Sequence, residues 1–292
     1  MAPLPFILGH EVSGYVTECG ADVTGLPARR PRGARAGRTL RQVRALPDRK
    51  YNLCPDVHFL AAPPYDGALR KFMAFPAKMC FKLPDDMTMQ EGAMLEPLAV
   101  GMHAARRGGV GLGKSVCILG SGTIGIMTLL ACKAMGATEI IVSDLVEHRL
   151  ESAKRLGATV TANPKEVDVT EAVLQATGGK GCDVVFETAG SPVTMAQTGR
   201  YVKSGGVIVV VGNIAQDVSY NFLEISRKEV EIRTVFRYRN IYPLAIEAVE
   251  KGYIDLKAIE PKEFPFEQAD EAFQYTITHA QEVIKTLIKV SD

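Results

Sequence analysis

From Lys114 to about Arg237, short apolar runs alternate with stretches whose apolar positions recur at helical spacing. Strand followed by amphipathic helix, repeated, is the order that a parallel doubly wound sheet requires. The runs at 115–119, 139–143, 183–187 and 206–212 read as strands, with 229–236 as a closing strand. Helices are predicted at 124–135, 150–156 and 193–202. Before Lys114 the pieces at 14–18 and 72–75 are short, strand-like and broken by Pro and Gly, which predicts an irregular β-rich unit. After Pro243 the pattern predicts a helix at 244–251, a strand at 262–266 and helices at 267–276 and 280–290. The chain is therefore read as α/β, with a β-rich unit at 1–98, a doubly wound unit at 99–238 and a closing segment at 239–292. No internal repeat or coiled-coil heptad is present.

One turn in the doubly wound region carries chemistry. The strand at 115–119 runs into Gly120-Ser-Gly122-Thr123-Ile124-Gly125, a G-x-G-x-x-G turn that opens the next helix. Gly120 permits a tight turn, Gly122 lets the backbone approach a pyrophosphate, and Gly125 lets the helix pack closely on the sheet. Thr123 and Ile124 begin a helix whose free N–H groups and positive dipole end face the phosphates. Asp144 ends the second strand near the ~20-residue offset of a carboxylate that accepts ribose hydroxyls. A 2′-phosphate would be repelled there, which favours NAD over NADP. Arg149, one turn into the following helix, reads either as a group lying against the adenine side or as a solvated helix arginine.

At 292 residues and 47% hydrophobic, the chain is long enough for two domains. No apolar run approaches the ~18 residues of a membrane span, and the first residues lack the pattern of a signal peptide. The six cysteines, at 19, 54, 80, 117, 132 and 182, show no paired framework, so a reducing cytoplasm is expected. The net charge of +1 conceals an uneven distribution. Between Pro27 and Arg49 stand arginines 29, 30, 32, 35, 38, 41, 44 and 49 against one acid, Asp48, and the remainder of the chain is net acidic. A nucleic-acid arm is one reading of such a run. It lacks interleaved aromatics and sits within an enzyme-like pattern, so no nucleic-acid partner is expected.

Gly9-His10-Glu11 opens the β-rich unit and Leu95-Glu96-Pro97-Leu98 closes it. An imidazole with two carboxylates suggests a metal that polarises a substrate hydroxyl, although a lone His-Glu pair is more often a surface pair. These segments, with Tyr51-Asn-Leu-Cys54-Pro-Asp, Ala61-Ala-Pro-Pro-Tyr-Asp-Gly67 and Val235-Phe-Arg237-Tyr238, resemble the zinc-dependent medium-chain dehydrogenases, specifically the sorbitol (polyol) dehydrogenase branch. The resemblance covers nearly the whole chain except 27–50. It implies a Rossmann domain and a GroES-like catalytic domain, with His10 and Glu11 as zinc ligands. Glu96 would be a nearby carboxylate that holds the zinc water or exchanges with it. Arg237 and Tyr238 would line a polyol pocket near the nicotinamide, with Phe59 as a wall. The implied activity is that of a zinc- and NAD-dependent polyol dehydrogenase of the L-iditol 2-dehydrogenase type, a cytoplasmic homo-oligomer, tetrameric by resemblance, acting on a small-molecule polyol. Threonine or 2,3-butanediol dehydrogenase is the alternative within the family, and Phe-Arg-Tyr argues against it.

Two departures from the family stand out. Its zinc-ligating cysteine precedes the G-H-E run, where this chain has eight residues and no cysteine. Cys19 reads as a buried or turn residue, so two ligands remain where catalytic zinc takes three. The segment 27–50 is almost all Arg, Ala, Gly, Pro and Leu, as GC-rich DNA gives when read out of frame. Read one base later, the codon pairs at Leu40–Arg41, Val43–Arg44 and Leu46–Pro47 each accommodate a cysteine codon. With Cys54 these would restore the family's structural-zinc spacing, preceded by its P-G-D-R-V run. A compensated pair of frameshifts is the reading that results, and it predicts a mobile, poorly packed segment with Cys54 lacking its partners. An inactive NAD-binding remnant is the non-enzymatic alternative.

Overall fold

The computed structural model describes residues 4–24, 31–34, 37–38 and 50–291. The backbone forms two compact units, one of Met1–Ala99, Arg237–Gln274 and Thr286–Asp292, the other of Val100–Phe236 and Tyr275–Lys285.

In the first unit, β1 (Val12–Tyr15), β2 (Pro31–Ala34) and β5 (Cys80–Lys82) form an antiparallel sheet with β2 in the middle. Two shorter strands, β3 (Gly37–Arg38) and β4 (His58–Phe59), pair beside it in sequence order. The expectation of a poorly packed 27–50 is corrected at 31–34 and 37–38, which pair as strands; the rest of it, at 27–30, 35–36 and 39–49, lies outside the described residues. A ladder is made by backbone N–H and C=O groups and needs no particular side chain. Gly33, opposite Ser13 and Phe81, is buried, and a Cβ there would lie 3.2 Å from Leu83. The piece expected as a strand at 72–75 is irregular; Met73 and Phe75 pack on Leu60 and Ala68, while Phe72 is exposed.

Helix α1 (Met89–Gly108) was not foreseen as one element. It starts with a capping box in which Thr88 N donates to Glu91 Oε2 and Glu91 N to Thr88 Oγ1. Ser13 Oγ donates to Met89 O at 2.6 Å, and Gly92 lets the helix come close to β1: a Cβ there would meet Ser13 Cβ at 2.9 Å. The start of β1 and the first turns of α1 are thereby fixed side by side.

The second unit is built on β6 (Ser115–Leu119), β7 (Glu139–Ser143), β8 (Val160–Ala162), β9 (Cys182–Glu187), β10 (Val202–Val210) and β11 (Glu231–Thr234). All pair in parallel, in the order β11-β10-β9-β6-β7-β8. Between them run α2 (Thr123–Ala134), α3 (Glu147–Leu156), α4 (Val169–Ala176), α5 (Pro192–Tyr201) and α6 (Phe222–Arg227). The central strands β6, β7 and β9 are largely apolar and buried, as strands covered on both faces must be, while the edge strand β11 is mostly exposed. Ile118, Ile141, Val185, Phe186 and Ile208 are fully buried. The strand order reverses between β6 and β9, and in such sheets ligands bind beyond the carboxyl ends of the strands at that reversal. Cys117 and Cys132 are buried as expected; the hydrogen bond to Cys182, then burial, raises the Cys117 thiol, and burial raises that of Cys132, so both are held as neutral thiols.

The closing part adds α7 (Tyr242–Glu250), β12 (Lys262–Pro265), α8 (Ala269–Thr278) and β13 (Thr286–Lys289). The helix expected at 280–290 is replaced by β13, which pairs in parallel with β12. Val283, Ile284, Thr286 and Ile288 are β-branched, and a partner strand was available to use that preference. Among the described residues no helix is long and apolar enough to cross a membrane.

Candidate active site

The first unit gathers His10, Glu11 and Glu96. One ligand atom from each lies within 4.8 Å of the others. His10 and Glu11 precede β1, where Gly67 N donates to Ile7 O, Leu69 N to Leu8 O, and Ala68 N to Gly9 O at 2.7–2.9 Å. Gly9 sits at φ 89, and a Cβ on Gly67 would lie 2.2 Å from Leu8 O, so the two glycines of the G-H-E and D-G segments let these strands of chain touch. Glu96 comes from α1 and is 3% exposed.

Phe59, on β4, connects this cluster to Arg237. The His10 and Phe59 rings are 5.4 Å apart, and Arg237 Cζ stands 4.4 Å over the Phe59 ring. Arg237 thus stacks on an aromatic face, a cation–π contact. Its backbone is at φ 57, a left-handed conformation costing an arginine about 1–3 kcal/mol, of the kind that persists where surrounding structure imposes it. Burial lowers its pKa, while Tyr238 and the Glu96 carboxylate act in the opposite direction. Asn240 N donates to Tyr51 Oη at 2.6 Å and ties down the loop carrying Arg237. Tyr238 is buried, 5.9 Å from the Tyr242 ring.

An imidazole nitrogen and two carboxylates are hard-to-borderline donors that suit zinc, and catalytic zinc takes three protein ligands with a fourth position open. Tetrahedral bonds of about 2.0–2.2 Å put ligand atoms roughly 3.3–3.6 Å apart, within a small side-chain adjustment of the spread seen here. Two carboxylates at such spacing repel each other unless a cation lies between them. The residues fit the metal. Glu96, expected beside the ligand pair, stands in the cluster on equal terms with His10 and Glu11, and the cluster has no cysteine. Cys19 is exposed rather than buried, and Cys54 is buried with a free thiol.

The second unit holds the dinucleotide turn. Gly120, at φ 96, leaves β6; a Cβ on Gly125 would fall 1.9 Å from Gly120 O, so close helix–turn packing depends on glycine there. A Cβ on Gly122 would meet only Arg149 Nη1, at 4.0 Å, which leaves the backbone of this turn accessible. Asp144 accepts from Ser121 N at 2.6 Å and from Val146 N at 3.0 Å, so the acid is locked to the turn it serves. Arg149 is not a solvated helix arginine: its Nη2 donates to Ala280 O at 2.7 Å, and its buried Nε has no partner among the described residues. Thr123 Oγ1 donates to Ile284 O at 2.7 Å, and Ile124 lies in the first turn of α2. Ser121 Oγ is also buried without a partner. Buried polar atoms without partners among the described residues, around an open glycine turn at the switch point, fit a dinucleotide.

The sequence reading missed the segment 280–284, which accepts bonds from both Thr123 and Arg149, and the Glu187-Thr188 pair ending β9. Only one cue existed for the latter, an acid at the carboxyl end of an apolar strand.

The fold and these two sets of residues define a metal-assisted dinucleotide dehydrogenase. Residues 1–85 match the alcohol dehydrogenase GroES-like domain, and residues 123–251 the zinc-binding dehydrogenase domain. The chain is 44% identical over 286 residues to the uncharacterized zinc-type alcohol dehydrogenase-like protein YdjJ of Escherichia coli (strain K12), covering 98% of this chain and 82% of that protein. It is 39% identical over 273 residues to the sorbitol dehydrogenase of Homo sapiens, covering 92% and 76%. The crystal structure of an Escherichia coli oxidoreductase/dehydrogenase of unknown specificity superposes with a TM-score of 0.94 at 42% identity, covering 98% of this chain and 83% of that one. The chain belongs to the zinc-type medium-chain alcohol/sorbitol dehydrogenase family, whose cofactors are zinc and a nicotinamide dinucleotide.

Proposed function

We propose that the protein oxidises a secondary alcohol of a polyol with NAD and releases a ketose, as in sorbitol to fructose or xylitol to xylulose. The observation that carries this reading is the convergence of His10, Glu11 and Glu96 beside the Phe59–Arg237 stack. When bound, zinc lowers the pKa of a substrate hydroxyl, and NAD accepts the carbinol hydride. His10 contributes a neutral nitrogen, and Glu11 and Glu96 contribute two negative charges that balance a dication. Arg237 offers a fork of N–H donors suited to successive hydroxyls, against a wall formed by Phe59. In the other unit Asp144 accepts ribose hydroxyls and disfavours a 2′-phosphate, which supports NAD over NADP. The same reading takes the protein to be a cytoplasmic homo-oligomer with a small-molecule partner and neither nucleic acid nor membrane.

The absence of a cysteine from the cluster favours a second reading, an NAD-binding remnant without turnover. Elemental analysis and NADH formation separate the two. The dehydrogenase holds about one zinc per chain in the cluster and reduces NAD with sorbitol or xylitol. A remnant binds NADH and shows neither zinc nor turnover. Activity on threonine or 2,3-butanediol in place of polyols would move the substrate assignment to that branch of the family.

A further inference from the structure

Glu187 ends β9, at the switch point, and is fully buried. Its Oε1 accepts from Thr194 Oγ1 at 2.7 Å, Gly190 N at 2.9 Å and Ser191 N at 3.4 Å. Its main-chain carbonyl accepts from Val211 N and Gly212 N, both at 2.9 Å. One residue therefore ties the turn after β9 to the turn after β10. The next residue, Thr188, donates from Oγ1 to Leu119 O at 2.9 Å and to Gly120 O at 2.7 Å, which adds the dinucleotide turn after β6. Three turns at the mouth of the crevice hang on two consecutive residues.

The second oxygen of Glu187 makes the arrangement hard to explain as ordinary packing. Oε2 is buried with no hydrogen-bond partner among the described residues, and it lies 2.6 Å from where a Cβ on Gly212 would stand. An incompletely paired buried carboxylate is a poor way to stabilise a sheet; apolar residues of similar volume commonly do better. Its use at this place is to aim donors. A doubly wound sheet has two mononucleotide halves. Asp144 marks the half built on β6, β7 and β8 as the adenosine side, so β9, β10 and β11 make the nicotinamide side.

We infer that Glu187 is a positioning residue for the nicotinamide half of the cofactor, its side chain holding the turn after β9 in the conformation that half requires while its main-chain carbonyl bonds the turn after β10. The inference rests on the NAD-dependent reading above. Its test compares Glu187→Gln and Glu187→Ala by two ligands, NADH and ADP-ribose, which share the adenosine half. NADH binding is followed by nicotinamide fluorescence, and ADP-ribose by its displacement of NADH. Glu187→Ala is expected to weaken NADH about tenfold and ADP-ribose less than about threefold, the loss of the acceptor shared by three donors being felt on one side only. Glu187→Gln, which keeps a carbonyl oxygen for the three donors, stays within about threefold of the parent for both ligands. In the ligand-free protein, amide exchange at Gly190 speeds up in Glu187→Ala and not in Glu187→Gln, while Gly212, bonded to the main-chain carbonyl that both variants keep, stays as in the parent.

Equal weakening of both ligands by Glu187→Ala, unchanged NADH affinity, or a Gln variant as weak as the Ala variant overturns the inference. If Glu187→Ala does not fold, Thr194→Val removes the shortest of the three bonds and must show the same split, at about threefold; no split overturns the inference as well. A parent protein that binds neither ligand removes the NAD-dependent reading itself.

Discussion

Arg237 concentrates two costs in one residue, a left-handed backbone and partial burial, offset in part by the nearby Tyr238 and Glu96. Residues held in this way are replaced badly. Arg237→Ala is expected to raise KM for a polyol about tenfold or more while kcat falls less, because what it loses is binding of hydroxyls away from the reacting carbon. Arg237→Lys restores little, since a lysine ammonium neither stacks on Phe59 nor offers a planar fork. Steady-state kinetics on the substrate panel checks both. At this scale the sequence was legible where a residue type is rare in its context. The glycines of the turn and Asp144 were each read from the chain. His10, Glu11 and Glu96 stood out together, but a surface pair was the plainer reading of them and only the resemblance gave them a metal, because nothing local distinguishes an acid that is later buried from one left in water. Glu187 was not reached at all; its meaning lies in donors from 190, 191 and 194 and in amides from 211 and 212, and only the fold assembles them.

Elements were legible in proportion to how much of their stability is local. The strands of the parallel sheet, buried on both faces, announce themselves as apolar runs, and their helices as amphipathic periods. Strand β13 and the middle strand β2 did not, since a strand at the mercy of a distant partner carries little signal of its own. The 280–290 stretch has enough spaced apolar residues to suit a helix, and pairing with β12 decided otherwise. The contact between the 7–10 segment and the 66–69 segment makes a prediction at this level. Gly67→Ala drives a methyl into Leu8 O and Gly9 O, displacing His10 and Glu11 at a cost of about 1–3 kcal/mol. The variant should lose zinc and alcohol oxidation while keeping NADH affinity, because the displaced groups belong to the first unit; elemental analysis and fluorescence titration read the two separately.

For the whole molecule, the alternation of strand and helix was sufficient to predict a doubly wound sheet, and its order follows from the right-handed crossovers that such units prefer. The first unit was harder, as antiparallel strands broken by Pro and Gly leave pairing undetermined. Its composition anomaly remains testable. If 27–50 is replaced by the peptide of the shifted frame, which restores three cysteines ahead of Cys54, the protein should bind about two zinc ions per chain where the parent binds about one. An unchanged zinc count in a folded replacement protein removes the frameshift reading.

The first unit is also discontinuous. It is assembled from Met1–Ala99, Arg237–Gln274 and Thr286–Asp292, whereas Val100–Phe236 runs through the second unit without interruption. No single stretch of the gene therefore encodes the zinc-ready half, and any attempt to graft it, swap it or shuffle it at one junction will sever β12 from the sequence that carries His10. The dinucleotide half, by contrast, is nearly an insertion within it. Recombination between relatives is thereby channelled: exchange at the two ends of the 100–236 stretch trades most of the cofactor-binding half but leaves behind Tyr275–Lys285, whose carbonyls at 280 and 284 must still accept from the incoming Arg149 and Thr123.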